Sequence, residues 1–139
     1  MSQLDFYHNV VREALEADGW TITDDPLTMA LDDTKTFVDL AAERNIIGAE
    51  RGLEKIAVEI KSYRGQSIVA ETQKLMGQLD TYKYLLSQLE PDRELVAALP
   101  QKVYRKLLRM PTLYKLLSAK GVRWCVFSAN ENRIVTWTN

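Results

Sequence analysis

The chain has 139 residues, a length typical of one domain with a substantial hydrophobic core. Hydrophobic residues make up 46% of the sequence and charged residues 27%, a balance that argues against intrinsic disorder. The formal net charge of -1 excludes an overall basic field of the kind that attracts nucleic acid, although it leaves a local basic patch open.

The sequence contains one cysteine, Cys125, and one histidine, His8, which excludes an internal disulfide and a cysteine-based zinc site. Cys125 lies in the apolar run RWCVFS, which is typical of a buried strand thiol rather than a nucleophile. The N-terminal residues lack the basic start and apolar core of a signal peptide, and no apolar run approaches the ~20 residues needed to span a bilayer. We therefore predict a soluble, cytoplasmic protein without membrane association.

A first helix is predicted near the N-terminus. It begins after Ser2, with Asp5 completing an imperfect capping box, and its apolar residues recur at helical spacing from Tyr7 to Leu15. Gly19 suits the left-handed position that ends a helix, so the helix is expected to end at the sequence DGW.

Strand-like segments follow the first helix: WTITDD, LTMALDD, KTFVDLAAE and KIAVEIKSY. Asp25 and Pro26 favour a turn between the first two, and Arg51-Gly52 is a turn signal before the last. The segment KTFVDLAAE is predicted to form a single strand with Asp39 at its centre.

The second half of the chain predicts a long helix from about Ser67 to Leu89, where apolar residues recur every three or four positions. ELVAALP is then predicted to be a buried strand, and Pro100 suits the first turn of the helix that follows. A short helix, PTLYKLLSAK, precedes a closing pair of strands, RWCVFS and RIVTWT. This order predicts one α/β (α+β) domain over residues 1–139, with a mixed central sheet flanked by helices.

Two charged residues interrupt the apolar strand KIAVEIKSY. Glu59 and Lys61 point to the same face, and a buried carboxylate requires a cation or hydrogen-bond donors nearby. If the strand of Asp39 is adjacent, both carboxylates converge beside Lys61. Two carboxylates, the backbone carbonyl of Ile60 and water molecules suit Mg²⁺ or Mn²⁺, and Lys61 would then orient an attacking water.

Simpler interpretations of these charged segments stay open. Glu-x-Lys triplets are common by chance, and a solvated strand face with a cross-strand ion pair would also explain Glu59 and Lys61. The basic helix KVYRKLLR is either a solvated face or a patch that contacts phosphate. The loop SYRGQS, residues 62–67, either presents backbone donors to a phosphate or forms a turn capped by Ser67.

The arrangement of Asp39 before Glu59-Ile60-Lys61 resembles the PD-(D/E)xK superfamily, whose members cleave phosphodiesters with Asp, Glu and Lys on a central sheet. The resemblance implies a restriction-endonuclease-like core and catalytic roles for Asp39, Glu59 and Lys61.

The same superfamily often carries a glutamine followed by an aromatic residue in the next helix. GQLDTYKYLL offers Gln78 at that location, with Tyr82 as an auxiliary residue. An acid in the first helix is also common and would fall near His8, so the resemblance implies that His8, as an auxiliary residue, replaces it.

Segments spread over nearly the whole chain, including DGWTITDDP and EPDREL, resemble the XisH family, named after an fdxN-element excision controlling factor of cyanobacteria. The resemblance implies a role in excising a DNA element with a site-specific recombinase and a small XisI-type protein. Two hypotheses follow: an Mg²⁺- or Mn²⁺-dependent DNA endonuclease, or a catalytically silent accessory factor that binds DNA or the XisI-type partner. No organic cofactor is implied, and the oligomeric state, a homodimer included, is left open.

Overall fold

The computed structural model of the chain describes residues 3–46, 48, 52–65 and 67–138. Ser2, Arg51 and Gln66, which entered the sequence-based predictions, lie outside the described residues. The helices are α1 (Gln3–Ala17), α2 (Ile68–Leu89), α3 (Gln101–Leu108) and α4 (Pro111–Ser118). The strands are β1 (Thr21–Asp24), β2 (Leu27–Leu31), β3 (Thr34–Val38), β4 (Leu40–Asn45), β5 (Leu53–Ile60), β6 (Arg93–Pro100), β7 (Arg123–Ser128) and β8 (Arg133–Thr138).

A six-stranded mixed sheet forms the centre of the fold, with strand order β1-β4-β5-β6-β7-β8. The three strands β5, β6 and β7 are parallel, and their outer neighbours are antiparallel to them. Strands β2 and β3 form a separate two-stranded hairpin. The predicted class, a mixed α/β fold with helices flanking a central sheet, is confirmed. No helix in the described ranges is both long enough and apolar enough to cross a membrane.

Helix α1 covers one face of the sheet. Its buried residues Tyr7, Val11 and Leu15 repeat at helical spacing, so they form one stripe that packs on the sheet. The chain then turns at Gly19, whose φ of 93° lies in the left-handed region that glycine adopts without steric cost. The predicted helix end at DGW is therefore confirmed.

Helices α2, α3 and α4, together with the β2–β3 hairpin, cover the other face and enclose a second core. Helix α2 begins after Ser67, whose Oγ accepts a hydrogen bond from the backbone N–H of Ala70 at 3.1 Å. This confirms the predicted start of the long helix. Pro100 was expected in the first turn of the next helix, but it is the last residue of β6 and the N-cap of α3.

The prediction of a single strand over KTFVDLAAE is wrong, because the chain breaks at Asp39 into β3 and β4. Val38 packs into the core beneath α2, whereas Leu40 packs into the core beneath α1. Residues two positions apart in one strand would share a face. Asp39 is therefore a corner where the chain leaves the hairpin and enters the central sheet.

Candidate functional site

Strand β5 carries Glu59 in the interior of the protein. The strand lies between β4 and β6, and its residues Ile56, Ala57 and Val58 are fully buried. Ala57 belongs to the core beneath α2, and the alternation of side chains along the strand directs Glu59 to the same face. The residue is only 5% exposed, which excludes the interpretation of Glu59 as part of a solvated strand face.

The corner at Asp39 lies directly beside Glu59. Strand β4 pairs with β5 in an antiparallel register whose first pair is Leu40 with Val58, so Asp39 falls one residue beyond that pair. One carboxylate oxygen of Asp39, Oδ2, accepts a hydrogen bond from the backbone N–H of Ile60 at 2.8 Å. The predicted convergence of the two acidic residues on one side of the sheet is present in the structure.

Glu59 has an incomplete set of partners. Its Oε2 lies 3.6 Å from the Lys61 Nζ, and the carboxyl group also interacts with Asp39, while its Oε1 is buried without a well-formed hydrogen bond among the described residues. Burial, followed by the negative charge of Asp39, raises the pKa of Glu59 to about 8, and the positive charge of Lys61 opposes that increase. In the absence of an added cation, Glu59 therefore holds a proton near neutral pH.

Lys61 is fixed by its backbone. Its N–H donates a hydrogen bond to the carbonyl of Ala98 at 2.9 Å, which continues the parallel pairing of β5 and β6 beyond the last residue of β5. Its side chain is 17% exposed, so the ammonium is held close to Glu59 with restricted access to water.

Helix α2 contributes Gln78 and Tyr82, which lie one turn apart on the same face. Burial, together with the charges of Glu59 and Asp39, raises the pKa of Tyr82 to about 12, while hydrogen bonding to Thr36 and Gln78 opposes the shift. The Tyr82 hydroxyl therefore lies within electrostatic reach of both acids. Gln78 has a buried Oε1 without a hydrogen-bond partner among the described residues.

His8 lies on the other side of the Asp39 corner. It lines a cavity of about 230 Å³ together with Asp39 and Ile60. Its Nε2 is 2.7 Å from the Asp25 Oδ1, and the Arg12 Nη1 is 2.5 Å from the other oxygen of the same carboxylate. The imidazole is thus engaged with Asp25.

Three residues around the acid pair were not predicted as site residues. Asp5 and Ser62 line the same cavity as Asp39, and Thr36 contacts the Tyr82 hydroxyl. Asp5 precedes His8 by three residues, so the helical spacing of the two could have indicated a shared face. Ser62 belongs to the loop SYRGQS, which the sequence indicated as a candidate phosphate contact, whereas Thr36 carries no comparable signal.

Asp39 and Glu59 are suited to bind a hard divalent cation, because the Glu59 Oε1 is a buried oxygen without a hydrogen-bond partner among the described residues. A cation that bound the buried Glu59 Oε1 and Asp39 would neutralise the two carboxylates that repel each other. No group of three or more His, Cys, Asp or Glu side chains suited to a metal occurs in the described part of the chain. The protein would therefore supply two carboxylates and the Ile60 carbonyl, a small ligand set that suits Mg²⁺, which keeps several water ligands.

Comparisons with known proteins agree on one family. The family model described as XisH protein matches residues 1–135. The chain is similar to the crystal structure of an XisH family protein from Nostoc punctiforme PCC 73102, with 33% identity, 97% of this chain and 100% of that chain covered, and a TM-score of 0.86. It is also similar to an fdxN element excision controlling factor protein from Anabaena variabilis, with 35% identity, coverage of 97% and 99%, and a TM-score of 0.86. A comparison with curated proteins gave no match.

Proposed function

The chain belongs to the XisH family, and we propose that it processes DNA in the cytoplasm by metal-dependent hydrolysis of a phosphodiester bond at Asp39, Glu59 and Lys61. The Anabaena variabilis relative is described as an fdxN element excision controlling factor, which makes DNA the reasonable substrate class. The resemblance of the Asp39 and Glu59-Ile60-Lys61 pattern to the PD-(D/E)xK superfamily supports the same reaction.

The buried acid pair carries this proposal. A structural ion pair would be expected to satisfy both carboxylate oxygens, whereas Glu59 keeps one buried oxygen without a partner among the described residues. Such an arrangement costs stability, and residues that carry such costs are concentrated at functional sites. Asp39, Glu59 and the carbonyl of Ile60 would hold Mg²⁺ or Mn²⁺, which would stabilise negative charge on the phosphate and lower the pKa of a bound water.

The other residues have roles that follow from their positions. Lys61 would orient the attacking water and stabilise charge on the phosphate, because its ammonium is held beside Glu59 with little solvent around it. Gln78 and Tyr82 would orient the substrate from α2, since both lie on the face that the acid pair occupies. His8 would remain auxiliary because its ring is engaged with Asp25.

Cleavage of DNA tests this proposal directly. The pure protein is incubated with branched, nicked and supercoiled DNA in the presence of Mn²⁺, and the products are separated on gels. We expect cleavage by the wild type and loss of cleavage in Lys61→Ala. Lys115→Ala is the matched control, because it removes an exposed lysine that lines none of the cavities described above. Cleavage that persists in Lys61→Ala would contradict the proposed site.

A second candidate is that the chain acts as a catalytically silent accessory factor. The presence of a histidine, His8, near the position of the expected acid favours this function. The superfamily resemblance implies an acid near this position in the first helix, and the imidazole is instead paired with Asp25. This candidate predicts binding of DNA or of an XisI-type partner that needs no divalent ion and survives Lys61→Ala. Co-expression with the partner followed by size-exclusion chromatography tests it, and two separate peaks at micromolar concentration would count against partner binding.

A further inference from the structure

A basic groove, defined here by Arg64, Lys102, Lys106 and Arg109, lies beside the acid pair. It has a volume of about 740 Å³ and runs between α3 and the loop that follows β5. Four of its ten lining residues are lysine or arginine, and none is acidic. For a chain with a formal net charge of -1, this is a marked local concentration of positive charge.

The fold itself produces this concentration. Strands β5 and β6 are parallel, so the loop after β5 and the start of α3 after β6 emerge at the same edge of the sheet. Lys102 and Lys106 on α3 and Arg109 at its C-cap are separated by four and three positions and share one helix face. The buried residues Val103 and Leu107 anchor the neighbouring face in the core, so the cationic face is directed outward.

The four groove cations lack anionic partners. None of them forms an ion pair within the described ranges, and all four side chains are exposed. Cations elsewhere on the surface do form such pairs, for example Lys120 with Asp80 at 3.0 Å. The Glu71 carboxylate lies beside Gly65 and Tyr63 at the groove without forming an ion pair with any of the four cations. Four cations with one nearby carboxylate still repel one another, and a bound polyanion would reduce that repulsion.

The basic groove adjoins the cavity that contains Asp39. Ser62, directly after Lys61, lines both the basic groove and the cavity that contains Asp39. Lys102 also lines a third cavity, of about 330 Å³, which contains Arg105 and extends to Tyr7 at the Asp39 cavity. A negatively charged strand in the groove would therefore pass close to the cavity that contains Asp39.

We infer that the basic groove binds the phosphodiester backbone of DNA and directs one phosphate toward Asp39 and Glu59. The direction toward a reacting phosphate rests on the proposed function, whereas binding of the backbone does not. Lysine and arginine contacts to phosphates are independent of sequence and depend strongly on salt, because they release condensed counterions. The groove thus provides affinity and position, and it does not read bases.

Fluorescence anisotropy with labelled DNA tests this inference. Titrations are carried out in EDTA, where metal-dependent cleavage cannot occur, with one duplex and one single strand of the same sequence. The double variant Lys102→Glu/Lys106→Glu is compared with the wild type and with Lys115→Glu, which makes the same kind of charge change on α4. Lys102→Ala/Lys106→Ala removes the two charges without adding repulsion, and circular dichroism checks that each variant is folded.

We expect both groove variants to lose at least tenfold in affinity for the better-bound DNA form, while Lys115→Glu stays within about twofold of the wild type. The slope of log K against log salt should also fall in magnitude by about 1 for each phosphate contact that is lost. Equal affinity and salt dependence in the groove and control variants, or no binding of either DNA form by the wild type, would overturn the inference.

The same titrations separate this inference from the proposed hydrolysis. Binding is measured in EDTA, where hydrolysis cannot contribute, and cleavage is measured separately with Mn²⁺. If the wild type binds DNA through the groove and does not cleave it, the proposed hydrolysis is contradicted and the inferred role of the groove is supported. If the wild type cleaves DNA and the groove variants bind it as tightly as the wild type, the inferred role of the groove is contradicted and the proposed hydrolysis is supported.

Discussion

The carboxylate of Asp39 accepts a hydrogen bond from the backbone N–H of Ile60, with 2.8 Å between Oδ2 and the nitrogen. This bond ties the corner between β3 and β4 to the strand that carries Glu59. It therefore holds the two acidic side chains close together at the centre of the sheet, where burial and the charge of Asp39 raise the pKa of Glu59 to about 8.

Replacing Asp39 separates its structural role from its charge. Asp39→Ala leaves the Ile60 N–H without its acceptor, and we expect a loss of about 1–3 kcal/mol in the free energy of unfolding. Asp39→Asn keeps an acceptor oxygen and should lose less. Urea denaturation in EDTA measures both. Isothermal titration with Mn²⁺ should show that both variants lose metal binding, and an unchanged affinity in Asp39→Asn would contradict its assignment as a ligand.

The pH dependence of stability should report on Glu59. Its pKa is raised from 4.5 to about 8 on folding, so between these values the folded protein holds a proton that the unfolded chain has released. The stabilisation is complete below pH 4.5 and is lost as the pH rises through 8, by about 1 kcal/mol per pH unit. We expect Glu59→Gln, which stays neutral, to gain stability relative to the wild type from pH 5 to pH 8.

Denaturation in EDTA at several pH values measures this difference. Glu13→Gln, which changes an exposed side chain on α1, is the matched control and should keep the pH profile of the wild type. Parallel profiles for Glu59→Gln and the wild type would mean that Glu59 is already ionised in the folded protein.

Arg93 should be a major contributor to the stability of the sheet. The side chain is 5% exposed, and its Nη1 donates to the carbonyl of Ile56 at 3.0 Å, while its Nη2 lies 3.2 Å from the Glu90 Oε1. Arg93→Ala leaves these groups without their cation, and we expect a cost of about 3 kcal/mol. Arg133→Ala, at an exposed ion pair, should cost less than about 1 kcal/mol in the same urea titrations. Equal costs for the two variants would contradict this role.

Cys125 should be chemically inert in the native protein. It is fully buried on β7, and burial raises the pKa of its thiol to about 12, so very little thiolate forms at neutral pH. Reaction with Ellman's reagent is expected only as fast as the protein unfolds, and rapidly in urea. A native reaction at the rate of a free exposed cysteine would contradict the buried position.

The long helix illustrates what local sequence determines. The spacing of Leu75, Leu79 and Tyr82 and the capping side chain of Ser67 act over one or two turns, so they define α2 without knowledge of the rest of the fold. The alternation of Ala57 and Glu59 in β5 likewise places both on one face. These local patterns were sufficient to predict that Asp39 and Glu59 meet if their strands are neighbours.

The break at Asp39 could not be predicted in the same way. Val38 and Leu40 are apolar residues two positions apart, which is the pattern of one strand face, yet they enter different cores. Only the tertiary packing of the β2–β3 hairpin against α2 separates them. The sequence indicated the two parts of the basic groove separately, the helix KVYRKLLR and the loop SYRGQS, as candidate phosphate contacts. It did not indicate that they form one groove, because Arg64 and Lys106 are distant in sequence and meet only through the parallel pairing of β5 and β6.

The position of Asp39 between two cores also has a dynamic consequence. Because Val38 and Leu40 are anchored on opposite sides of the sheet, detaching the hairpin would expose the Ile60 amide and pull the two acids apart in a single event. The rate of hydrogen–deuterium exchange at that one amide would then measure how often the protein is transiently unable to act.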